Sequence, residues 1–302
     1  MLYPRHLEEK LGFNEIRNAI RQACCGPAGE SCVEQMQFSS KLVQVERFCR
    51  QTDEFVYLLN SGSAFSVQPY TSIDDFFGRI RVEGLYLQSE ELHEIRLVLK
   101  MITTAVSFLK ENQEAYPLLF SLVQKIEIDT QIIRNIDVCI DDSGQLKDNA
   151  SPQLAKIRRD IYAREQKARK QLNSILGNSR KNGYVPDDAG ITIRGGRLVI
   201  PLKAEYKRVV KGFVHDESAS GNLVYIEPAE VLDTNNEIRE LEYEQRREII
   251  RILTMLTSLL RPYLEEISGA YQLFGKLDFI RAKAKIAIQM NAITPEIRSE
   301  KG

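Results

Sequence analysis

Residues 203–228 read KAEYKRVVKGFVHDESASGNLVYIEP. Val209, Val210, Phe213 and Val214 precede a small-residue turn, Ser218-Ala219-Ser220-Gly221, and Leu223, Val224, Tyr225 and Ile226 follow it. β-Branched and aromatic runs on either side of a glycine turn read as paired strands. Just upstream, ITIR (191–194) and RLVIPLK (197–203) flank Gly195-Gly196, a two-residue hairpin signal. With RVVKGFVHD (208–216) and NLVYIEP (222–228), four short antiparallel strands are expected between about Tyr184 and Pro228. Almost everything outside this insert reads as helix.

Two long helical patterns bracket the insert. PQLAKIRRDIYAREQKARKQLNSIL (152–176) starts after Ser151 with Pro152 at the first helical position. Its apolar positions are sparse: Leu154, Ile157, Ile161, Leu172 and Ile175. At 1.5 Å per residue it reaches about 40 Å. EVLDTNNEIRELEYEQRREIIRILTMLTSLLRPYLEE (230–266) carries Ile238, Leu241, Ile249, Leu253, Leu256 and Leu260, with a break expected at Pro262. A narrow apolar seam wants one partner helix. The economical arrangement is an antiparallel pair with the strands at its tip.

The flanks are helical too. LGFNEIRNAIRQAC (11–24) has Asn14 as a candidate cap and stops at Gly26-Pro27. A helix is expected from Val43 to Leu59, ending in NSGSAF. After Ser89 as cap, Leu92, Ile95, Leu99, Ile102, Val106 and Leu109 make one apolar stripe. Pro117 opens a short helix, Asp141-Asp142-Ser143-Gly144 turns, and AYQLFGKLDFIRAKAKIAIQMNAITPEI (270–297) is helical with Phe274, Leu277, Ala284 and Ile288. These stripes describe a core and carry no chemistry.

The 302 residues suffice for two or three domains. No apolar run approaches the ~20 residues of a membrane span, and MLYPRHLEEK lacks an apolar signal core. A cytoplasmic protein without a membrane partner is expected. The five cysteines (24, 25, 32, 49 and 139) form no C-x-x-C pair, and with three histidines they predict reduced thiols and no metal site.

Net charge is −1, but its distribution is uneven. Residues 147–213 hold 16 Lys and Arg against 6 Asp and Glu, a balance of +10 that leaves −11 for the rest of the chain. A localised basic surface is the first footprint of nucleic-acid binding. The candidate contacts are Arg180, Lys181, Arg194, Arg197, Lys203, Lys207, Arg208 and Lys211, at the end of the first long helix and on the strands. Lys and Arg neutralise phosphates without choosing a sequence, and Tyr184 and Tyr206 would add stacking on an unpaired base. The cations of helix 152–176 have a different candidate partner in Glu237, Glu240, Glu242, Glu244 and Glu248 on the opposing helix.

No catalytic residue is assigned. His215-Asp216-Glu217-Ser218 contains hydrolase residue types, but a triad converges from separate elements. Asp141-Asp142 and Asp187-Asp188 read as solvated turns.

Four motifs carry a resemblance: GQLKDNASPQLAKIRRDI (144–161), RGGRLVIPLKAEYKRVVKGFVHDESASGNLVYIEP (194–228), NNEIRELEYEQRREIIRIL (235–253) and LDFIRAKAKIAIQMNAITPEI (277–297). With the opening YPRHLEEKLGF, the chain resembles the N-terminal part of the bacterial MutS family, most closely the recombination-suppressing subfamily often called "MutS-two". The resemblance implies a mainly α fold: a discontinuous helical core (1–146 and 263–302), and lever helices within 147–262 carrying a small antiparallel β clamp at about 181–228. It implies that this stretch embraces branched or duplex DNA, while the parent is a homodimer that binds ATP and Mg and carries an endonuclease domain. Some members act on collided ribosomes, where the same arm would meet ribosomal RNA. No G-x-x-x-x-G-K-[ST] occurs here, so no cofactor and no enzymatic activity are expected of this stretch itself. The competing expectation is an oligomerisation arm whose strands or helical seam pair with a second copy.

Overall fold

The computed structural model describes residues 7–62 and 65–297. The opening MLYPRH, positions 63–64 of the NSGSAF turn and the last residues of the return segment (298–302) lie outside it. The protein is mainly α-helical with one small antiparallel sheet. In chain order the helices are α1 (Leu7–Lys10), α2 (Phe13–Ala23), α3 (Pro27–Glu34), α4 (Leu42–Asn60), α5 (Asp74–Arg81), α6 (Ser89–Glu111), α7 (Pro117–Val123), α8 (Thr130–Cys139), α9 (Pro152–Lys181), α10 (Leu232–Leu260) and α11 (Leu264–Gln289). The strands are β1 (Thr192–Arg194), β2 (Arg197–Lys203), β3 (Gly212–Glu217) and β4 (Leu223–Pro228). The chain divides into two compact units, 1–145 with 253–302, and 146–252.

The first unit is a helical body built around α11. Leu264, Ile267, Tyr271, Phe274, Leu277 and Ile280 are buried along it. Gly275 lets α3 pack closely, because a Cβ there would stand 2.7 Å from the Ala28 backbone. Asp278, fully buried, receives the Cys25 and Gly26 N–H groups at 2.8 and 3.2 Å and so anchors the turn into α3. Arg281 Nε, at 3.0 Å, neutralises it. The stripe of α6 is buried as expected at Leu92, Ile95, Leu99, Ile102 and Leu109, while Val106 is half-buried. Its cap is Gln88 rather than Ser89: the Gln88 N–H donates to Glu91 Oε2 at 2.8 Å, a reciprocal capping box that makes Ser89 the first helical residue. Likewise α2 starts after Gly12, whose φ of 68° suits glycine, not at Asn14. At Pro262 the chain makes a short 3₁₀ turn, Arg261–Tyr263, between α10 and α11.

The second unit holds the strands. Ser151 caps α9 by accepting the Leu154 N–H at 3.0 Å, and its hydroxyl donates to Glu248 on α10 at 2.6 Å. Farther along, Arg164 of α9 meets Glu237 of α10 at 3.1 Å. Going up one helix means going down the other, so α9 and the first part of α10 are antiparallel. The late part of α9 meets the sheet instead: Ala168, Leu172 and Leu176 share one apolar cluster with Leu198, Ile200, Leu202, Val224 and Ile226. α9 continues through Gly177 to Lys181, past the expected end at Leu176: the sheet packs on Leu172 and Leu176, and beyond them Ser179 is buried and its carbonyl accepts the Tyr184 N–H at 3.0 Å while Arg180 donates to the Ala189 carbonyl. Packing on that scale overrides the roughly 1 kcal/mol cost of an internal glycine.

Strand order is β1-β2-β4-β3, all antiparallel neighbours. Gly195 and Gly196 at φ 57° and 74° form the expected hairpin turn between Arg194 and Arg197. The expected strand at 208–216 begins only at Gly212. The preceding RVVK belongs to a crossover, 204–211, that carries the chain from the Lys203 end of β2 to the outer edge of β4. Val210 anchors it by packing on the cluster of the sheet.

Candidate nucleic-acid interface

The alternation of β2 and β4 decides which side chains this sheet offers. Ile200 pairs with Ile226 and Leu202 with Val224, and these four face the helix side. Tyr225 and Glu227 therefore point to the other face, beside Arg197 and, across β1, Arg194.

Glu227 is 1% exposed and carries the polar centre of that face. Its Oε1 accepts from Arg197 Nη1 at 2.7 Å and from Asn235 Nδ2 at 2.7 Å. Its Oε2 meets His215 Nε2 at 2.6 Å. Arg197 Nη2 reaches Asn236 Oδ1 at 2.8 Å, and Asn235 Nδ2 also donates to the Leu198 carbonyl at 3.1 Å. A buried carboxylate is tolerable only when so satisfied. Strands β2, β3 and β4 and the start of α10 are pinned at one point. The irregular register between Val214 and Asp216 leaves His215 outside the ladder and free to turn toward Glu227, as bulges commonly re-aim a side chain. Ser218 Oγ accepts the Leu223 N–H at 3.0 Å, so His215 and Ser218 serve different structural bonds.

The eight candidate cations fall into distinct situations. Arg197 is committed to Glu227 and Asn236. Arg194 lies 4.3 Å over the Tyr225 ring and pairs with Asp216 at 3.1 Å, with part of its surface in water. Arg180 donates to the Ala189 carbonyl at 2.6 Å, and Lys203 Nζ to the Gly183 carbonyl at 3.0 Å. Both bonds use carbonyl oxygens, which leave the cationic charge uncompensated. Lys181, Lys207, Arg208 and Lys211 are exposed, and no ion pair among the described residues holds them. Lys207, Arg208 and Lys211 ride on the crossover between the two ends of the sheet. Lys211 sits by Ala229, whose N–H donates to its carbonyl at 2.9 Å. β2 alone is about 20 Å long at the usual strand rise, so the cations form a track rather than a pocket. Tyr184 and Tyr206 meet with ring centroids 4.9 Å apart and planes tilted by 41°, which makes one half-buried aromatic edge beside Lys203.

Among the described residues the acidic face of α10 neutralises α9 at one point, Arg164 with Glu237. Glu248 is instead held by Arg251 at 2.7 Å and by Ser151. The Arg251 guanidinium keeps the Glu248 carboxyl below the usual carboxylate range. Lys156, Lys167 and Lys170 remain exposed on α9, without ion pairs among the described residues.

Elsewhere the residues carry little reactive chemistry. The five cysteines are free thiols, and burial pushes Cys24 up to about 12 and Cys25 and Cys32 upward as well. Among the described residues no group of three or more His, Cys, Asp or Glu is arranged to hold a metal, and no helix is long and apolar enough to cross a membrane. Asp141 closes its own turn by accepting the Ser143 and Gln145 N–H groups, both at 2.9 Å. Sequence reasoning missed the Glu227 centre. The signal was present as a lone glutamate in the apolar strand LVYIEP followed by Asn235-Asn236.

Fold and site together define a class: an α-helical protein whose second unit presents a small sheet edged with uncompensated cations. No protein-family model matches the chain. It is 33% identical over 290 residues to a protein of Enterococcus faecalis named Endonuclease MutS2, covering 95% of this chain and 36% of that protein. A protein of the same name from a Geobacillus species is 33% identical over 288 residues (94% and 36%), and one from Listeria monocytogenes 32% over 299 residues (97% and 38%). The chain thus spans little more than a third of these curated relatives. Near one-third identity across almost its whole length supports a MutS2-related family for this chain.

Proposed function

We propose that this chain is the nucleic-acid-gripping region of a MutS-like protein, a core, lever and clamp that bind branched or duplex DNA without sequence preference and without chemistry of their own. The observation that carries this reading is the run Lys207, Arg208, Lys211, exposed on the crossover with no ion pair among the described residues. Charge left unpaired at a sheet edge attracts polyanion through counterion release. Lys181, Lys203, Arg180 and the exposed side of Arg194 extend the same track, and the Tyr184–Tyr206 edge offers a ring surface to an unpaired base. In the whole protein this arm would serve a homodimer driven by ATP and Mg that suppresses homologous recombination. Ribosomal RNA is a second polyanion of suitable chemistry.

The test is fluorescence anisotropy with a four-way junction and with a duplex. Replacing Lys207, Arg208 and Lys211 together by Glu should weaken both by at least about tenfold, the order expected when several phosphate contacts are lost. Unchanged affinity would end the reading for these residues.

One observation favours the oligomerisation arm. β3 is an edge strand exposed along its length, with Phe213 57% and Val214 47% exposed, an edge open to pairing with a second copy. Mass in dilute solution separates the two: a monomer that still binds DNA favours the nucleic-acid reading.

A further inference from the structure

In the first unit, α3, the segment 35–41, the start of α4, and α11 line an open groove of about 1090 Å³. Its apolar lining includes Met36, Phe38, Val43, Phe48, Phe279 and Ile280. Phe38 is 67% and Val43 78% exposed, as apolar surface contiguous with a groove rather than scattered singly. The charged part of the lining has one sign: beside neutral Gln and Ser side chains stand Lys41, Arg47, Lys276 and Lys283, and no Asp or Glu among the described residues joins them. Lys283 Nζ lies 4.8 Å from the Phe279 ring and 5.9 Å from the Phe48 ring, with no ion pair among the described residues. Burial pushes its pKa down to about 8. An ammonium held over two phenyl rings without a carboxylate is half of an interaction.

We propose that this groove docks an acidic amphipathic helix of a partner protein, its apolar stripe on the phenyl floor and its carboxylates on the lysines. Charge complementarity and spacing select this occupant. Lys276 and Lys283 are two turns apart on α11, about 10.5 Å, which matches carboxylates at i and i+7 on a second helix. Cations on both walls, Lys41 and Arg47 on one and Lys276 and Lys283 on the other, suit a rod with several carboxylates better than a molecule with one charged head. This inference stands apart from the nucleic-acid reading and concerns a different surface.

The test uses the full chain and three fluorescein-labelled probes: a helical peptide of about 20 residues with Leu at i, i+3, i+4 and i+7 flanked by Glu, the same peptide with Lys for Glu, and oligo(dT). The Glu peptide should bind in the micromolar range and at least about tenfold tighter than the Lys peptide. Lys283→Met, which removes a desolvated charge and so retains the fold, and Phe38→Ala, at an exposed position, should each weaken it several-fold, while Lys211→Glu leaves it unchanged. Equal binding of both peptides, binding indifferent to Lys283→Met and Phe38→Ala, or no binding of the Glu peptide overturns the proposal. So does a preference of the groove for oligo(dT), effective competition by dodecanoate, or a dimer that Phe38→Ala dissociates.

Discussion

Replacing Glu227 by Gln should loosen the sheet far more than its conservative shape suggests. The wild-type carboxylate, 1% exposed, takes three bonds of 2.6–2.7 Å from Arg197, Asn235 and His215. Hydrogen bonds to a charged group contribute about 1.5–3 kcal/mol each. Gln keeps Oε1 as the acceptor for Arg197 and Asn235 but removes the charge that Arg197 pairs with, and it turns an NH₂ toward His215 Nε2, which keeps a bond only by switching tautomer. Arg197 and His215 remain 24% and 25% exposed and recover some hydration, which argues against summing all three. We expect a loss of about 3 kcal/mol, at the lower edge for breaking a buried ion pair. The assay is hydrogen exchange of the β2 and β4 amides, with the α6 amides of the other unit as internal reference. A 3 kcal/mol loss speeds exchange of the sheet by about a hundredfold. Acceleration of less than about threefold would refute the claim that Glu227 pins the sheet. Arg197→Met added to Glu227→Gln should cost much less than the sum of the two single changes, because each removes the same contact.

Further outcomes follow from other parts of the structure. Gly275→Ala should cost about 1–3 kcal/mol by forcing a Cβ onto the Ala28 backbone. Gly269→Ala on the same helix, where a Cβ meets nothing within 4 Å, should stabilise by up to about 1 kcal/mol; calorimetry of the pair checks the sign of each. Cys24, pushed up to about 12, should resist iodoacetamide at pH 8 in the native protein and react readily in urea, as read by mass spectrometry. The folded-state pKa of Lys283 is depressed from 10.5 to about 8, so between those values the unfolded chain binds the extra proton and the contribution of Lys283 to stability rises with pH. Lys283→Met should therefore raise the melting temperature at pH 7, with an advantage that shrinks from pH 8 to 10.5.

Much of the fold was legible because its signals are local and repeated. Gly195-Gly196 dictates a hairpin, and the 3-and-4 spacing from Leu92 to Leu109 dictates a helix face. What escaped depends on contacts distant in sequence. The last turn of α9 persists through Gly177 because the sheet packs on Leu176 just before it and the segment 184–189 bonds to Ser179 and Arg180. RVVK (208–211) has strand composition yet becomes a crossover because β2 and β4 are already paired to each other. Short helices such as α3, α5 and α8 span too few turns to show a period; α3 is fixed by Asp278, some 250 positions away in sequence. For the site, sequence reading marked where positive charge gathers but could not tell an arginine committed to a buried glutamate, Arg197, from one left in water, Arg208. The contact of the Tyr184 and Tyr206 rings likewise depends on the end of β2 returning to the end of α9.

The salt dependence of DNA binding bears most directly on the central claim. For the intact chain on duplex DNA, log K against log salt concentration should be a steep line, and Lys181→Gln, Lys207→Gln, Arg208→Gln and Lys211→Gln should each flatten it by up to about 0.9. Together they should lower the slope by two or more. A slope that the fourfold variant leaves unchanged, or a wild-type line that is already flat, would contradict the account.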